Sequence, residues 1–170
     1  DRDGVNGNED FVKIIGEGGH ARSIKEILEQ YEIGYFGYNY AVVAIGDNKA
    51  RKKEVRANSN LRFPPLISNK AIVSKDAIIG EGTVIMPGAI VRANARIGCH
   101  VILNTGCSVD HDCVIGDYAH IAPGAHLCGH VEVGEGALIG VGVGVAPMCK
   151  IPPWVLVKAR KLEMEPLYAV

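Results

Sequence analysis

Every sixth residue between Val73 and Val157 is aliphatic. The positions are Val73, Ile79, Ile85, Val91, Ile97, Leu103, Val109, Ile115, Ile121, Leu127, Val133, Ile139, Val145, Ile151 and Val157. Two residues before each of them lies a small or β-branched residue, in a series that runs from Ala71 to Val155. A helix would repeat its apolar residues every three or four positions and a single strand every two. A period of six is typical of a hexapeptide-repeat parallel β-helix.

Three hexads close one triangular coil of such a solenoid, and successive coils stack about 4.8 Å apart. Fifteen hexads therefore predict five coils around one continuous aliphatic core. Glycine recurs where the corners are expected, at Gly80, Gly98, Gly116, Gly134 and Gly140. A residue without Cβ is favoured there by a positive φ or by close approach between coils.

The composition excludes several classes of function. The net charge is −1 and aromatic residues make up 6% of the 170 residues, which gives neither a basic footprint nor a stacking platform for nucleic acid. No apolar run is long enough to span a membrane, and the polar first ten residues do not resemble a signal peptide. We expect a globular protein without membrane or nucleic-acid partners, located in the cytoplasm.

The five cysteines predict neither disulfides nor a metal site. Cys107, Cys113 and Cys149 fall in the small inward series, where a thiol packs as a small apolar group. Cys99 and Cys128 lie outside that series, and the sequence has no C-x-x-C pair. An odd number of cysteines fits a reducing compartment better than a disulfide framework.

The N-terminal part alternates predicted strands and helices. Strands are predicted at 11–15, 41–45 and 62–67, and helices at 21–30 and 49–58. This order predicts a Rossmann-like α/β domain over residues 11–68. Its glycine turns follow the first two strands, at the sheet edge where such folds bind ligands.

Gly16, Gly18 and Ala21 satisfy the dinucleotide pattern G-x-G-x-x-A, but no acidic residue closes a second strand about 20 residues later. Three interpretations stay open: a cradle for the phosphates of a nucleotide sugar, a NAD site, and a turn that only packs. His20 follows this turn. It either caps the next helix or contacts a diphosphate at the helix N-terminus.

Four of the six histidines lie between Asn104 and His130. His111 stands between Asp110 and Asp112, two residues after the inward Val109, and is expected at an outward-facing corner. A neighbouring carboxylate orients an imidazole and raises its basicity, as a general base requires. The alternative is a solvated surface histidine.

Four motifs carry a resemblance to a known family. They are Gly-x-Gly-Gly-His at 16–20, Ala-Ile-Gly-Asp-Asn-Lys-x-Arg at 44–51, Leu-Asn-Thr at 103–105 and Val-Asp-His-Asp-Cys-x-Ile-Gly-x-x-x-His at 109–120. Together they resemble the bacterial sugar acetyltransferases of the NeuD/PglD type. These enzymes combine a Rossmann-like domain with a left-handed parallel β-helix, which would here span residues 69–158.

The resemblance implies an acetyl-CoA-dependent transfer to an amino or hydroxyl group of a nucleotide-linked amino sugar or a sialic acid, within a homotrimer. The general base would be His111, with Asp112 strengthening it. The residues implied in acetyl-CoA binding are His120, Gly129 and Val141. Those implied in sugar-nucleotide binding are Gly18, Gly19, His20, Gly46 and Asn104. The transfer would be direct, because cysteines in inward positions are screened from substrate.

Two segments depart from the family pattern: the short connection from Glu32 to Tyr40 and the tail after Val157. Two other functions therefore remain in view. One is a NAD-linked module fused to a passive solenoid. The other is a non-catalytic or metal-dependent trimer of the carbonic-anhydrase type, whose metal ligands would be drawn from His111, His120, His126 and His130. The sequence itself assigns no metal.

Overall fold

The structure, a computed structural model, describes residues 12–30 and 39–158. The N-terminal unit contains β1 (Lys13–Ile15), α1 (Gly19–Leu28), β2 (Ala41–Val43) and α2 (Asn48–Ala57). These elements match the predicted ones, with ends displaced by one or two residues. The connection over 31–38 and the tail beyond 158, on which the sequence analysis remarked, lie outside the described residues, as does Phe11.

The two strands of the N-terminal unit pair in parallel and carry a helix on each face. Ile24 of α1 packs in one apolar cluster with Val42 of β2. Val55 of α2 packs in another with Val43 and Phe63. The faces alternate because successive side chains of a strand point to opposite sides. The assignment of this unit to the Rossmann-like class stays a prediction.

The expected third strand of this sheet belongs to the solenoid instead. Strand β3 (Leu66–Ile67) pairs in parallel with β6 (Val84–Ile85) of the solenoid. The small sheet is extended only by an isolated bridge between Tyr40 and Arg62. The reason lies in the repeat: Ile67 precedes Val73 by six residues and is in phase with the aliphatic series.

The rest of the described chain is a parallel β-solenoid of about five turns, as the hexad period predicts. Each strand has two residues: β4 (Ile72–Val73), β5 (Ile78–Ile79), β7 (Ile90–Val91), β8 (Arg96–Ile97), β9 (Ile102–Leu103), β10 (Ser108–Val109), β11 (Val114–Ile115), β12 (His120–Ile121), β13 (His126–Leu127), β14 (Glu132–Val133), β15 (Leu138–Ile139), β16 (Gly144–Val145), β17 (Lys150–Ile151) and β18 (Leu156–Val157).

The strands form three parallel sheets, one on each face of the prism. Sheet 1 contains β4, β7, β10, β13 and β16; sheet 2 contains β5, β8, β11, β14 and β17; sheet 3 contains β3, β6, β9, β12, β15 and β18. Each strand pairs with the strands one coil below and above, as Val109 does with Val91 and Leu127. Side chains therefore stack in columns spaced 18 residues apart in sequence.

The core is the predicted one. The aliphatic residue of each strand points inward, and Leu103 and Ile121 are fully buried. The small series fills the remaining space, with Cys107 and Cys113 also fully buried. Burial raises the pKa of Cys107 to about 12, so this thiol does not supply a thiolate near neutral pH.

The corners explain two features of the sequence. A Cβ on Gly80 would lie 2.4 Å from the carbonyl oxygen of Gly98, so the coils approach too closely for a side chain there. Other corner residues adopt a positive φ without being glycine, including Asp112 and His130. Within the described part of the chain, no helix has the length and hydropathy needed to cross a membrane.

Candidate active site

His111 lies on the corner that joins sheet 1 to sheet 2, which we call the His111 corner: residues 110–113 and, one coil above, 128–131. Its side chain is 52% exposed, and its Nδ1 lies 2.8 Å from Oδ2 of Asp112. Asn94, one coil below, donates to Oδ1 of Asp112 at 3.3 Å. Hydrogen bonds from His111 and then Asn94 lower the pKa of the Asp112 carboxyl.

The proton of His111 can be placed from these contacts. An ionised carboxylate only accepts hydrogen bonds, so Nδ1 carries the proton and donates to Asp112. Nε2 then keeps its lone pair. The imidazole thus presents a basic nitrogen at an exposed corner, with its tautomer and orientation set by Asp112.

Gly129 borders the His111 ring from the next coil. A Cβ at position 129 would lie 2.6 Å from Cε1 and 2.7 Å from Nε2 of His111. The absence of a side chain therefore allows the ring to occupy this position. The carbonyl of Gly129 accepts from Met148, whereas its N–H has no hydrogen-bond acceptor among residues 12–30 and 39–158.

His130 approaches the same carboxylate from above. Its Nε2 lies 3.8 Å from Oδ2 of Asp112, and its ring contacts His111 edge to face at 5.3 Å between centroids. Sequence reasoning named His130 only as a possible metal ligand. Its position follows from the repeat, because His130 and Asp112 are 18 residues apart and occupy equivalent corner positions.

His120 lies elsewhere, at the start of β12 in sheet 3. Its Nε2 is 3.0 Å from Nδ2 of Asn104, and the backbone of Gly46 is close enough to act on the pKa of the ring. The orientation of the Asn104 amide group agrees with this contact, because its Oδ1 points the other way and accepts from the Thr105 N–H at 2.8 Å. Nε2 of His120 thus accepts from Asn104, which leaves the ring proton on Nδ1 of a neutral imidazole.

Three residues predicted to bind the sugar nucleotide surround this histidine. Asn104 and Gly46 contact it, and His20 is close enough for its charge to act on the pKa of His120. Burial lowers that pKa to about 4, with further contributions from Arg51 and His20. The structure therefore brings one predicted acetyl-CoA contact together with the predicted acceptor site, where the N-terminal unit meets the solenoid.

The first glycine turn opens this site to solvent. Gly18 and Gly19 are exposed at the N-terminus of α1, and a Cβ on Gly18 would meet nothing within 4 Å. His20, the next residue, has its Nε2 buried and without a hydrogen-bond partner in the described structure. Burial and then the charge of Arg51 lower the pKa of His20 to about 4.

Arg51 is a site residue that sequence reasoning missed. Its side chain is only 1% exposed, although the helix that carries it is rich in charged residues. Its Nε donates to the carbonyl of His100 at 2.9 Å, and one Nη to that of Tyr118 at 2.7 Å. The other Nη donates to the carbonyls of Ile45 at 2.9 Å and Gly46 at 3.2 Å.

The guanidinium therefore joins the second glycine turn to two coils of the solenoid. Besides these carbonyls, it donates to the side-chain oxygen of Asn48 at 2.8 Å. Burial lowers its pKa to about 10, which still leaves it charged near neutrality. Arg51 is the last residue of the motif at 44–51. Its place in that motif is the sequence signal that could have identified it as a site residue.

Two other predicted residues lie apart from both places. Val141 is 64% exposed on the corner between sheet 3 and sheet 1. His126, on sheet 1, has its Nδ1 2.8 Å from Oγ of Ser108. Of the four histidines considered as a metal set, His111 and His130 are thus the pair that the structure brings together. The predicted site residues occupy three separate parts of one chain.

Cavities accompany only part of this arrangement. Gly46 borders a groove of about 270 Å³ between the N-terminus of α2 and the last coils, where Trp154 forms one wall. A basic cavity of about 570 Å³ lies beside it, lined by Lys49, Lys52, Lys53, Arg56 and Trp154. Neither contains His111, but a third cavity, of about 400 Å³, is lined in part by Asn94 and Asp112. A base on an open corner requires another surface to enclose its substrate.

Several known proteins share this arrangement. The family model for the bacterial transferase hexapeptide (six repeats) matches residues 94–129 and 112–147. PerB from Caulobacter crescentus, solved with CoA and GDP-perosamine, superposes with a TM-score of 0.81 at 33% identity, covering 87% of this chain and 86% of PerB. The chain belongs to the NeuD/PglD-type family of bacterial sugar acetyltransferases.

Two further members are similar to this chain. The acetyltransferase domain of PglB from Neisseria gonorrhoeae superposes with a TM-score of 0.79 at 30% identity, over 87% of this chain and 88% of that domain. UDP-N-acetylbacillosamine N-acetyltransferase from Bacillus subtilis is 40% identical over 44% of this chain. The match spans half the length of that curated relative. The evidence for family membership therefore comes mainly from the matches to solved structures, which cover more of the chain.

Proposed function

We propose that this chain is an acetyl-CoA-dependent acetyltransferase whose acceptor is an amino or hydroxyl group on a nucleotide-linked amino sugar or a sialic acid. The observation that carries the proposal is the His111–Asp112 pair, held beside the free N–H of Gly129 at an exposed corner. A relative solved with acetyl coenzyme A supports the acetyl donor. A relative solved with CoA and GDP-perosamine supports a nucleotide-linked amino sugar as the acceptor.

His111 is the general base in this mechanism. Its Nε2 takes the proton of the acceptor amine or hydroxyl as that group attacks the thioester carbonyl, and Asp112 stabilises the resulting imidazolium through Nδ1–H. The bond from the carbonyl carbon to the acceptor forms and the C–S bond breaks. The departing thiolate takes a proton, which restores neutral His111. No acyl-enzyme is required.

The N–H of Gly129 is the donor that we assign to the oxyanion. It has no described acceptor and belongs to the same corner as His111. A backbone N–H fixed by the strand ladder stabilises developing negative charge without reorganising. Bound acetyl-CoA supplies the activated thioester. Val141 is assigned to the pantetheine arm of acetyl-CoA. His120 is assigned to acetyl-CoA as well, but its contact with Asn104 favours a second role, in orienting the acceptor.

The acceptor site is proposed to use the N-terminal unit, residues 11–68, as a Rossmann-like domain beside the left-handed solenoid over 69–158. Gly18, Gly19 and His20 lie at the N-terminus of α1, where backbone N–H groups and the helix dipole favour a diphosphate. Gly46 and Asn104 meet at His120. This arrangement supports a sugar-nucleotide site between the unit and the solenoid, rather than a NAD site.

We propose a homotrimer with parallel solenoid axes, which the distribution of these residues supports. His111 and Val141 stand on different corners of one prism, so a neighbouring copy must bring one corner against the other. Sedimentation should give a trimer at micromolar concentration. An active monomer would contradict this part of the proposal.

The test is release of coenzyme A from acetyl-CoA in the presence of a panel of nucleotide-linked amino sugars and sialic acids. We expect His111→Ala to lower turnover by about 10² to 10⁴, and Asp112→Asn to lower it less. The matched control is His126→Ala, an exposed histidine on the same face. Equal loss in both histidine variants, or none in His111→Ala, would remove His111 as the base.

A further inference from the structure

The Asp112 carboxylate lies between two imidazoles. Its Oδ2 is 2.8 Å from Nδ1 of His111 and 3.8 Å from Nε2 of His130. One ligand atom from each of the three side chains lies within 4.8 Å of the other two. Among the described residues, these three form the group of His, Cys, Asp or Glu side chains that is spaced closely enough to hold a metal ion. General-base chemistry uses His111 and Asp112 but gives His130 no role.

The three side chains are held by the solenoid backbone. Asp112 and His130 both adopt a positive φ, 58° and 59°, at equivalent positions of successive coils. The N–H of His130 donates to the carbonyl of His111 at 3.0 Å, and that of Asp112 to Ala93 at 3.0 Å. Asn94 occupies Oδ1 of the carboxylate. Oδ2 is therefore the oxygen directed at both rings.

Two imidazole nitrogens and one carboxylate oxygen are a common ligand set for Zn²⁺, with a water as fourth ligand. Bond lengths of 2.0 to 2.1 Å place the ligand atoms of a tetrahedral site about 3.3 Å apart. The present spacing reaches that geometry through small rotations of exposed rings, whose side chains are 52% and 58% accessible. The backbone ladder need not move.

We propose that His111, Asp112 and His130 form a site for Zn²⁺ that inhibits the enzyme, and that is not part of the acetyl-transfer chemistry. The inhibition rests on the proposed function; the binding does not. A metal on Nδ1 of His111 takes the nitrogen that donates to Asp112. The ring proton then moves to Nε2 through solvent, which leaves no lone pair to accept the acceptor's proton.

Binding is measured first, without any activity assay. The full chain is freed of metal with EDTA, dialysed, and titrated with Zn²⁺ in competition with a chromophoric chelator. We expect one Zn²⁺ per chain, an affinity lowered by about 10-fold or more in His130→Ala, and no change in the control His126→Ala. Equal affinity in wild type and His130→Ala, or equal loss in both variants, would overturn the site.

Inhibition is measured on the metal-free enzyme with acetyl-CoA and an accepted amino sugar. Zn²⁺ should abolish transfer and EDTA should restore it. His130→Ala should keep its metal-free rate within about twofold, yet need about 10-fold more Zn²⁺ for half inhibition. Full transfer with Zn²⁺ bound would overturn the inhibition. Zinc binding that depends on His130, in a protein that acetylates no acceptor, would uphold the site and refute the proposed function.

Discussion

The imidazole of His111 lies in the space that a side chain at Gly129 would fill. The two residues are 18 positions apart and stack in successive coils of one corner. Glycine at 129 therefore determines where the base can stand, independently of the hydrogen bond that His111 donates to Asp112.

Gly129→Ala should displace His111 while leaving the fold intact. The new Cβ would lie within 2.7 Å of Nε2, and an exposed ring yields more easily than the strand ladder. We expect turnover to fall by about 10²-fold, as misplacement of a catalytic group by roughly 1 Å does. The control is Gly144→Ala on sheet 1, where a Cβ meets nothing within 4 Å. Unchanged turnover in Gly129→Ala would mean that the ring acts from another position.

Arg51→Met should destabilise the protein strongly. It leaves the carbonyls of Ile45, His100 and Tyr118, which are buried or half-buried, without their donor, and each buried acceptor left unpaired costs about 1 to 3 kcal/mol. Arg51→Lys should recover only part of this loss, because an ammonium cannot reproduce the planar fork. Urea unfolding measures the effect. Arg56→Met, an exposed arginine of the same helix, should change little.

Acid should weaken the fold before the carboxylates titrate. The pKa values of His20, His100 and His120 are each lowered to about 4, chiefly by burial. Below pH 6.5 the unfolded chain takes up protons that the folded chain refuses, so the free energy of unfolding falls as pH drops from 6.5 towards 4 and is constant above 6.5. The loss is on the order of 3 kcal/mol for each of the three imidazoles.

Urea unfolding between pH 7.5 and 4.5 checks this slope. His120→Gln should make it shallower, whereas His126→Ala, an exposed control, should not. The same slope in wild type and His120→Gln would show that His120 is protonated in the folded state.

Gly18→Val should separate binding from folding in the first turn. Position 18 has φ −76° and open space in front of it, so a β-branched residue fits without strain. Valine there should weaken binding of the nucleotide-linked sugar and leave acetyl-CoA binding unchanged, as calorimetry with each ligand would measure. Equal loss for both ligands would place the two sites together.

Gly16→Ala is the structural counterpart in the same turn. Gly16 has φ +126°, and its Cβ would lie 2.7 Å from the carbonyl oxygen of Ala44. This variant should lower stability, which Gly18→Val should not.

The hexad period predicted the solenoid because every sixth residue points inward, so the repeat can be recognised from the sequence without knowing any long-range contact. The sequence also allows strand partners to be read at intervals of 18, as with Val91, Val109 and Leu127. The same interval applied to Asp112 would have placed His130 above it. The corner cluster was thus predictable from the repeat, once the coil length was known.

Arg51 was not predictable in this way. Its helix has the composition of a solvated surface, and apart from its place at the end of the motif at 44–51 nothing local distinguishes Arg51 from Arg56. The burial arises from carbonyls that are distant in sequence, those of His100 and Tyr118. They become available only when the N-terminal unit packs on the solenoid. Likewise, the partners of His120 come from the preceding coil and from the second glycine turn.

The three-sheet arrangement also limits how the length of this chain can change. Loss of a single hexad from the solenoid would keep every aliphatic residue pointing inward, yet would rotate all later strands onto the next face. If the lost hexad lay between His111 and Gly129, Gly129 would leave the corner of His111, although the core stayed equally well packed. A chain that lost six residues between His111 and Gly129 would therefore remain folded without the arrangement on which the proposed chemistry depends.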